Sequence, residues 1–324
     1  MRAEAARPLR VGVIGVGHLG QHHARLYAAL PQATLVGVVD TRPEQAQSVA
    51  ERYGAAVFAD VQALLKEVDA VSVAVPTSDH YVITKACLAA GVHVLVEKPI
   101  TVEPHEAHDL VRLARHAARV LQVGHVERFN PAIAALRSLV SRPAYVECHR
   151  LSRFGVRGTD VNVVLDLMIH DLDILLSFQP GPVEEIRAVG APVLTPLYDI
   201  AQARIQFAGG CVANLTASRV SEAPSRTIRL FQRDAAIMMD YHTRQGTISR
   251  AHQPTEGASG IETEPLTGGE GEPLKLELEA FLRSVSTGAP PVVSGEDGTA
   301  ALDLAHRILD AIDEFLRRNS SETG

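Results

Sequence analysis

Lys98 follows the apolar run Val92-His93-Val94-Leu95-Val96 and stands between Glu97 and Pro99. An ammonium at the mouth of a buried strand is costly unless something there uses its charge. In that place it can hydrogen-bond a substrate oxygen and stabilise negative charge developing on it. A proline after it can form a cis bond, which would fix the direction of the lysine side chain. Further on, Asp166, His170 and Asp173 fall at i, i+4 and i+7, so a regular helix would put all three on one face. Leu165, Ile169, Leu172 and Leu176 mark the adjoining apolar face. A carboxylate beside an imidazole orients the ring and stabilises its protonated form, the usual arrangement of a general base near neutral pH. By spacing alone, a loop lysine and a solvated helix face account for the same residues, and Asp173 reads as structural.

These groups need a scaffold, and the amino-terminal part supplies its signature. Gly15-Val16-Gly17-His18-Leu19-Gly20 directly follows one apolar strand and opens a helix. Glycines there permit a tight turn, close approach of backbone to a pyrophosphate, and close helix–strand packing, with the helix N-terminus facing the anion. Asp40 ends the next strand, 20 residues after Gly20. A carboxylate there binds both ribose hydroxyls and repels a 2′-phosphate, which points to NAD. Arg42 could pair with a 2′-phosphate and leaves NADP open.

Apolar strands are predicted at 9–14, 34–39, 56–58, 70–74, 93–96 and 120–123, with Ala-rich helical patterns between them. That alternation indicates an α/β fold with a Rossmann-type, doubly wound parallel sheet, assigned to residues 1–125. Residues 126–324 change character. Strands at 144–151, 183–190, 201–207, 211–218, 226–231, 236–241 and 246–250 follow one another with turn signals. They predict an α+β domain with a large, mainly antiparallel open sheet, which would bind substrate and build the oligomer. One long helix is expected at 162–178, a mobile loop at 253–273, and two amphipathic helices at the end. The alternating Ala201, Ala203, Ile205 and Phe207 suggest a sheet face that needs a partner subunit.

The net charge of -7 excludes the basic stripe that a phosphate backbone requires, so no nucleic acid is expected. No apolar run is long enough to cross a membrane. The first ten residues lack the apolar core of a signal peptide and read as a disordered tail. Three widely spaced cysteines give neither a disulfide framework nor metal-ligand spacing, so no metal is expected. A cytoplasmic setting is expected. His22 and His23 are expected at the surface or an interface, and His105, His108 and His116 on a solvated helix face. Arg219, Arg226, Arg229 and Arg233 are expected on a solvent- or subunit-facing sheet.

In order, the glycine loop, Ala74-Val75-Pro76 with His80, Glu97-Lys98-Pro99, Asp166-x-x-x-His170-Asp171-x-Asp173 and Ser294-Gly295-Glu296-Asp297-Gly298 resemble the glucose–fructose oxidoreductase / inositol dehydrogenase / MocA family. The likeness covers essentially the whole chain. It implies that Lys98 contacts the reacting hydroxyl, His170 acts as acid and base, and Asp166 supports His170. It implies a cofactor site of Gly15, Gly17, His18, Leu19, Gly20, Asp40, Arg42, Pro76, Thr77, His80, Glu97 and Lys98, and a homodimer or homotetramer built sheet to sheet. Met168 stands where many members carry glycine and is expected to narrow the pocket floor. Residues 123–131 and 157–170 resemble the bacterial nucleotide-sugar branch. That branch implies oxidation at C3 of UDP-N-acetylglucosamine, with the keto sugar passing to an aminotransferase for lipid A or surface-sugar synthesis. Arg128, Asn130, Arg153 and Arg157, with Lys98 and His170, would then bind substrate, since arginines suit a diphosphate. An inositol or free-sugar dehydrogenase is the alternative within the family. An NAD-dependent glycosidase and a non-catalytic nucleotide sensor are the alternatives from other classes.

Overall fold

The computed structural model describes residues 7–155, 161–251 and 260–321. Its first part alternates strand and helix: β1 (Leu9–Ile14), α1 (Gly20–Ala29), β2 (Ala33–Val39), α2 (Pro43–Tyr53), β3 (Ala56–Val57), α3 (Val61–Leu65), β4 (Ala70–Val73), α4 (Thr77–Ala89), β5 (His93–Glu97), α5 (Pro104–Ala117) and β6 (Leu121–Gly124). All six strands are parallel, in the order β3-β2-β1-β4-β5-β6. The order reverses between β1 and β4, so the carboxyl ends of β1 and β4 open the crevice in which such sheets take ligands. Val11, Val13, Val71, Val73, Val94 and Leu95 are fully buried, as expected for strands covered on both faces.

A 3-10 turn (Val126–Phe129) leads to α6 (Pro131–Arg137), β7 (Pro143–Leu151), a π-helical turn (Val164–Met168), and α7 (Ile169–Ser177). Then come β8 (Val183–Ala191), β9 (Ile200–Phe207), β10 (Val212–Ser218), β11 (Ser225–Gln232), β12 (Ala235–Asp240), β13 (Gln245–Ala251) and β14 (Ile261–Thr267). They form an eight-stranded sheet in the order β14-β13-β12-β11-β7-β10-β9-β8, antiparallel except where β10 pairs with β7. Helices α8 (Pro273–Thr287) and α9 (Gly295–Ser321) close the chain.

Contacts divide the chain into two compact units, 1–126 with 272–299, and 127–271 with 300–324. Helix α8 therefore belongs to the first unit, where Leu278, Phe281 and Leu282 pack against Val11, Val38 and Leu95. In the second unit, Leu172 and Leu175 of α7 and Ile308 and Ile312 of α9 share a core with one face of the sheet.

Three expectations change. Part of the stretch read as a mobile loop is an edge strand. Ile261–Thr267 pairs with β13, with Ser249 Oγ 2.8 Å from Thr263 Oγ1 and Arg250 3.8 Å from Glu264. Nearly all of β14 is exposed, so it has no buried face to write an alternation into its sequence. Residues 253–259 of that stretch lie outside the described residues. The long helix at 162–178 is interrupted at its start by the π turn. Ala201, Ala203, Ile205 and Phe207 are buried in their own unit's core, and the face left open carries Gln202, Arg204 and Gln206 instead.

Candidate active site

In the first unit the chain leaves β1 through Gly15 at φ 82°, a conformation that favours glycine. A Cβ at Gly20 would lie 1.8 Å from Gly15 O, so the helix meets the turn only because residue 20 is glycine. Gly17 is different: a Cβ there would meet only Arg42 Nη2, at 3.5 Å. The fold leaves that space open without needing it. No side chain caps the N-terminus of α1 and no acidic residue stands in its first turn, which leaves its positive end to an anion. Gly15, Gly17, His18, Leu19, Asp40, Arg42 and Pro76 line a cavity of about 500 Å³ at the carboxyl ends of β1, β2 and β4. Asp40 Oδ2 accepts from Val16 N at 2.9 Å, and Oδ1 accepts from Arg42 N at 2.9 Å and Arg42 Nε at 3.3 Å. Burial pushes this carboxyl up, but the two backbone donors and the Arg42 guanidinium outweigh it and hold Asp40 below the usual range. A carboxylate accepts about four hydrogen bonds, so Asp40 keeps acceptor capacity for a ribose hydroxyl.

Lys98 is half-buried just past β5 and is joined to Pro99 by a cis peptide bond. His80, on α4, is buried beside it. Its Nδ1 is 2.7 Å from Pro99 O and its Nε2 3.0 Å from Val75 O, so the ring bridges the β4 and β5 loops. Burial lowers its pKa, partly offset by those two carbonyls. Glu97 folds back beneath the lysine. Its Oε1 lies 3.0 Å from His23 Nε2, and its Oε2 accepts from Lys98 N at 3.3 Å. Burial pushes this carboxyl up too, but His23, Lys98 and His80 outweigh that and hold it down.

In the second unit Asp166 lies within the π turn and His170 in the first turn of α7; both are half-buried. Asn162 O accepts from both Leu165 N and Asp166 N at 3.0 Å, and Asn162 Oδ1 accepts from Tyr198 N at 3.0 Å. The buried Arg219 donates to Val161 O at 2.6 Å and Tyr198 O at 2.9 Å and pairs with Asp199 at 3.0 Å. The approach to the π turn is thereby tied to the sheet. Helix α7 is held by charge at two aspartates. Asp171 takes a two-pronged contact from Arg150, at 2.9 and 3.0 Å, and a hydrogen bond from the Tyr241 hydroxyl. Arg150 also donates to Glu127 at 3.0 Å, and Arg128 donates to Asp173 at 2.8 Å. Burial pushes the Tyr241 hydroxyl far up, reinforced by Asp171, so it remains a donor.

Residues 9–125 match the oxidoreductase family with an NAD-binding Rossmann fold, and residues 132–238 match the GFO/IDH/MocA C-terminal domain. The chain is 39% identical over 319 residues to UDP-N-acetylglucosamine 3-dehydrogenase of Acidithiobacillus ferrooxidans, covering 96% of this chain and 99% of that enzyme. The protein belongs to the Gfo/Idh/MocA oxidoreductase family. A solved structure of the same Acidithiobacillus enzyme superposes with a TM-score of 0.91 over 96% of this chain. Myo-inositol 2-dehydrogenase of Thermotoga maritima is 26% identical over 94% of this chain and 97% of its own length. As a member of this family the chain is an NAD-dependent oxidoreductase. The open space over Gly17 and the residual acceptor capacity of Asp40 fit that cofactor.

Among the expected site residues of this family member, Gly15, Gly17, His18, Leu19, Asp40, Arg42 and Pro76 gather around one cavity. Gly20 packs beneath it, and Thr77 opens α4 beside Pro76. Arg128 and Asn130 have structural partners. Arg128 is buried against Asp173. Asn130 caps α6 by accepting from Ala132 N at 3.1 Å and donates to Tyr241 O at 2.9 Å. Arg153 is exposed and donates to Glu222 O at 2.8 Å. Arg157 lies outside the described residues. Asp173, read from the sequence as structural, is buried against Arg128 within α7, while the π turn breaks the regular i, i+4 register between Asp166 and His170. Met168, expected at the pocket floor, is fully buried in the second unit's core. His23, expected at the surface or an interface, is fully buried between Glu97 and Ser72, and Arg219 is buried rather than on a solvent- or subunit-facing sheet. Arg150 was legible in principle. Val146, Cys148 and Arg150 share one strand face, and an arginine on an apolar face requires buried acids.

Proposed function

We propose that the protein oxidises the C3 hydroxyl of UDP-N-acetylglucosamine to a ketone, with His170, Lys98 and Asp166 as its catalytic residues. The observation that carries this reading is the end-to-end likeness to the Acidithiobacillus enzyme, at higher identity than to the Thermotoga inositol dehydrogenase. When bound, NAD accepts a hydride from the carbinol carbon. His170 takes the hydroxyl proton, so one proton and one hydride leave the alcohol. Lys98 donates to the same oxygen and stabilises the charge that builds there. Asp166 keeps the His170 ring oriented and stabilises its charged form. His80 fixes the Pro99 carbonyl and with it the loop that carries Lys98. Arg153 and Arg157 are the arginines proposed to meet the diphosphate. Remote binding energy from UDP then positions C3 for reaction.

The reading includes a cytoplasmic homodimer or homotetramer, and an aminotransferase that consumes the keto sugar in lipid A or surface-sugar synthesis. Lys98→Met and His170→Asn test the site. Each is expected to lower turnover by about two orders of magnitude or more while NAD still binds. Near-normal turnover in either variant would contradict the assignment.

A further inference from the structure

A chain of buried polar groups runs behind Lys98, entirely within the first unit. Tyr27 OH lies 2.8 Å from Ser72 Oγ, Ser72 Oγ 3.0 Å from His23 Nδ1, and His23 Nε2 3.0 Å from Glu97 Oε1. Tyr27, Ser72 and His23 are fully buried, and Glu97 is 7% exposed. The direction of the hydrogen bonds follows from the charge on Glu97. Lys98 N–H donates to Glu97 Oε2, and Glu97, held ionised by the groups around it, accepts at both oxygens. His23 Nε2–H must then donate to Oε1, whether the ring is neutral or charged. With the ring neutral, Nδ1 accepts from the Ser72 hydroxyl, whose oxygen accepts from Tyr27 OH. Every proton in the chain points toward Glu97.

The neighbouring strand is shaped to the same end. Gly124 of β6 pairs with Glu97, and a Cβ there would lie 2.9 Å from Glu97 Oε2 and 3.0 Å from Glu97 Cα. Only glycine lets the carboxylate fold back over that edge. The charged and titratable groups around Glu97 are His23 from α1, His80 from α4 and Lys98 beside it, while Glu277 of α8 acts on Tyr27 behind the chain.

We propose that His23 is a positioning residue for Lys98: anchored by Ser72 and Tyr27, it donates to Glu97 and so holds a charged, fixed carboxylate against the lysine. This rests on the reading of Lys98 as catalytic, given above. A buried carboxylate that loses its donor protonates more readily, and the Lys98 ammonium then loses its counter-charge.

The test is NMR titration of full-length, NAD-saturated protein carrying 13C-labelled glutamate carboxyls, with Glu97→Gln to assign the signal. His23→Leu is expected to raise the Glu97 midpoint by about one unit or more. It should lower kcat about tenfold or more, with the sugar KM and NAD affinity little changed. His23→Gln, which keeps a donor, should restore both. If His23→Leu does not fold, Ser72→Ala carries the test, with a smaller rise of the same sign. An unmoved Glu97 midpoint overturns the proposal. So does unchanged kcat in His23→Leu when Lys98→Met is inactive. Active Lys98→Met would instead overturn the reading of Lys98 and the catalytic part of this proposal, while the titration still decides the contact of His23 with Glu97.

Discussion

A methyl group added at Gly17 meets only the tip of Arg42, at 3.5 Å, whereas one added at Gly20 collides with the Gly15 carbonyl. The two substitutions should therefore separate folding from cofactor binding. Gly17→Ala is expected to leave thermal unfolding close to wild type and to weaken NAD binding, because the added methyl fills the approach to the pyrophosphate. Gly20→Ala is expected to lower the melting temperature itself. Calorimetry beside NAD titration checks both, and an unfolded Gly17→Ala would show that the space is structural. Asp40 poses a second question at this scale. Its carboxylate is held ionised by Val16, Arg42 and their backbone donors, so it presents full negative charge to a ribose. Asp40→Ala is expected to weaken NAD binding and to relax discrimination against NADP. A wild-type preference for NADP in paired kinetics would contradict that role.

Helix α7 carries the half-buried His170 and the buried Asp171 and Asp173, and buried arginines fasten the two aspartates. Arg150→Met would leave Asp171 and Glu127 buried without that partner. Breaking one side of such a pair costs about 3–5 kcal/mol, which urea denaturation would read directly. Glu127 adds a pH dependence with a definite sign. Burial raises its pKa, but Arg150 and Arg226 outweigh burial and hold it below its ordinary value of 4.5. A depressed carboxyl contributes stability that is full above its unfolded pKa and is lost as pH falls through its folded one. Glu127→Gln should therefore destabilise the protein at pH 7 and much less in acid below the folded pKa of Glu127. Equal losses at both would contradict the ion-pair account. The elements with a buried face were readable from sequence, because burial writes a period into the residues. The parallel strands and the alternation of β9 and β10 show it. Strand β14 has no buried face, and its pairing with β13 left no trace. The π turn was equally silent, since Asp166-x-x-x-His170 fits a regular helix, and the turn arises from tertiary ties through Asn162, Tyr198 and Arg219. The charged residues Arg128, Arg150 and Arg219 misled or escaped notice for one reason. Their acids lie 20 to 45 residues away in sequence, at Asp173, Asp171 and Asp199, and only the fold brings them together.

The open face of the eight-stranded sheet mixes Gln202, Arg204 and Gln206 with Val189, Phe231 and Met238, the last three about 40% exposed. A sheet of this size with helices on one side favours a covering partner. Light scattering at micromolar concentration is expected to give a dimer or tetramer, and Met238→Glu to shift it toward monomer. A monomeric wild type would contradict this. Among the described residues no helix is long and apolar enough to cross a membrane. The chain also aligns over 96% of its length with a UDP-N-acetylglucosamine 3-dehydrogenase and over 94% with an inositol dehydrogenase, which makes substrate choice the decisive property of the molecule. The most direct measurement is NADH formation across UDP-N-acetylglucosamine, N-acetylglucosamine, glucosides and myo-inositol, with a hydrazine or an aminotransferase trapping the ketone. UDP-N-acetylglucosamine is expected to be oxidised with one NADH per keto sugar, and N-acetylglucosamine alone to react poorly for want of the UDP anchor. Turnover of free sugars or myo-inositol with none on any UDP-sugar, or glycoside cleavage without net NADH, would contradict the account.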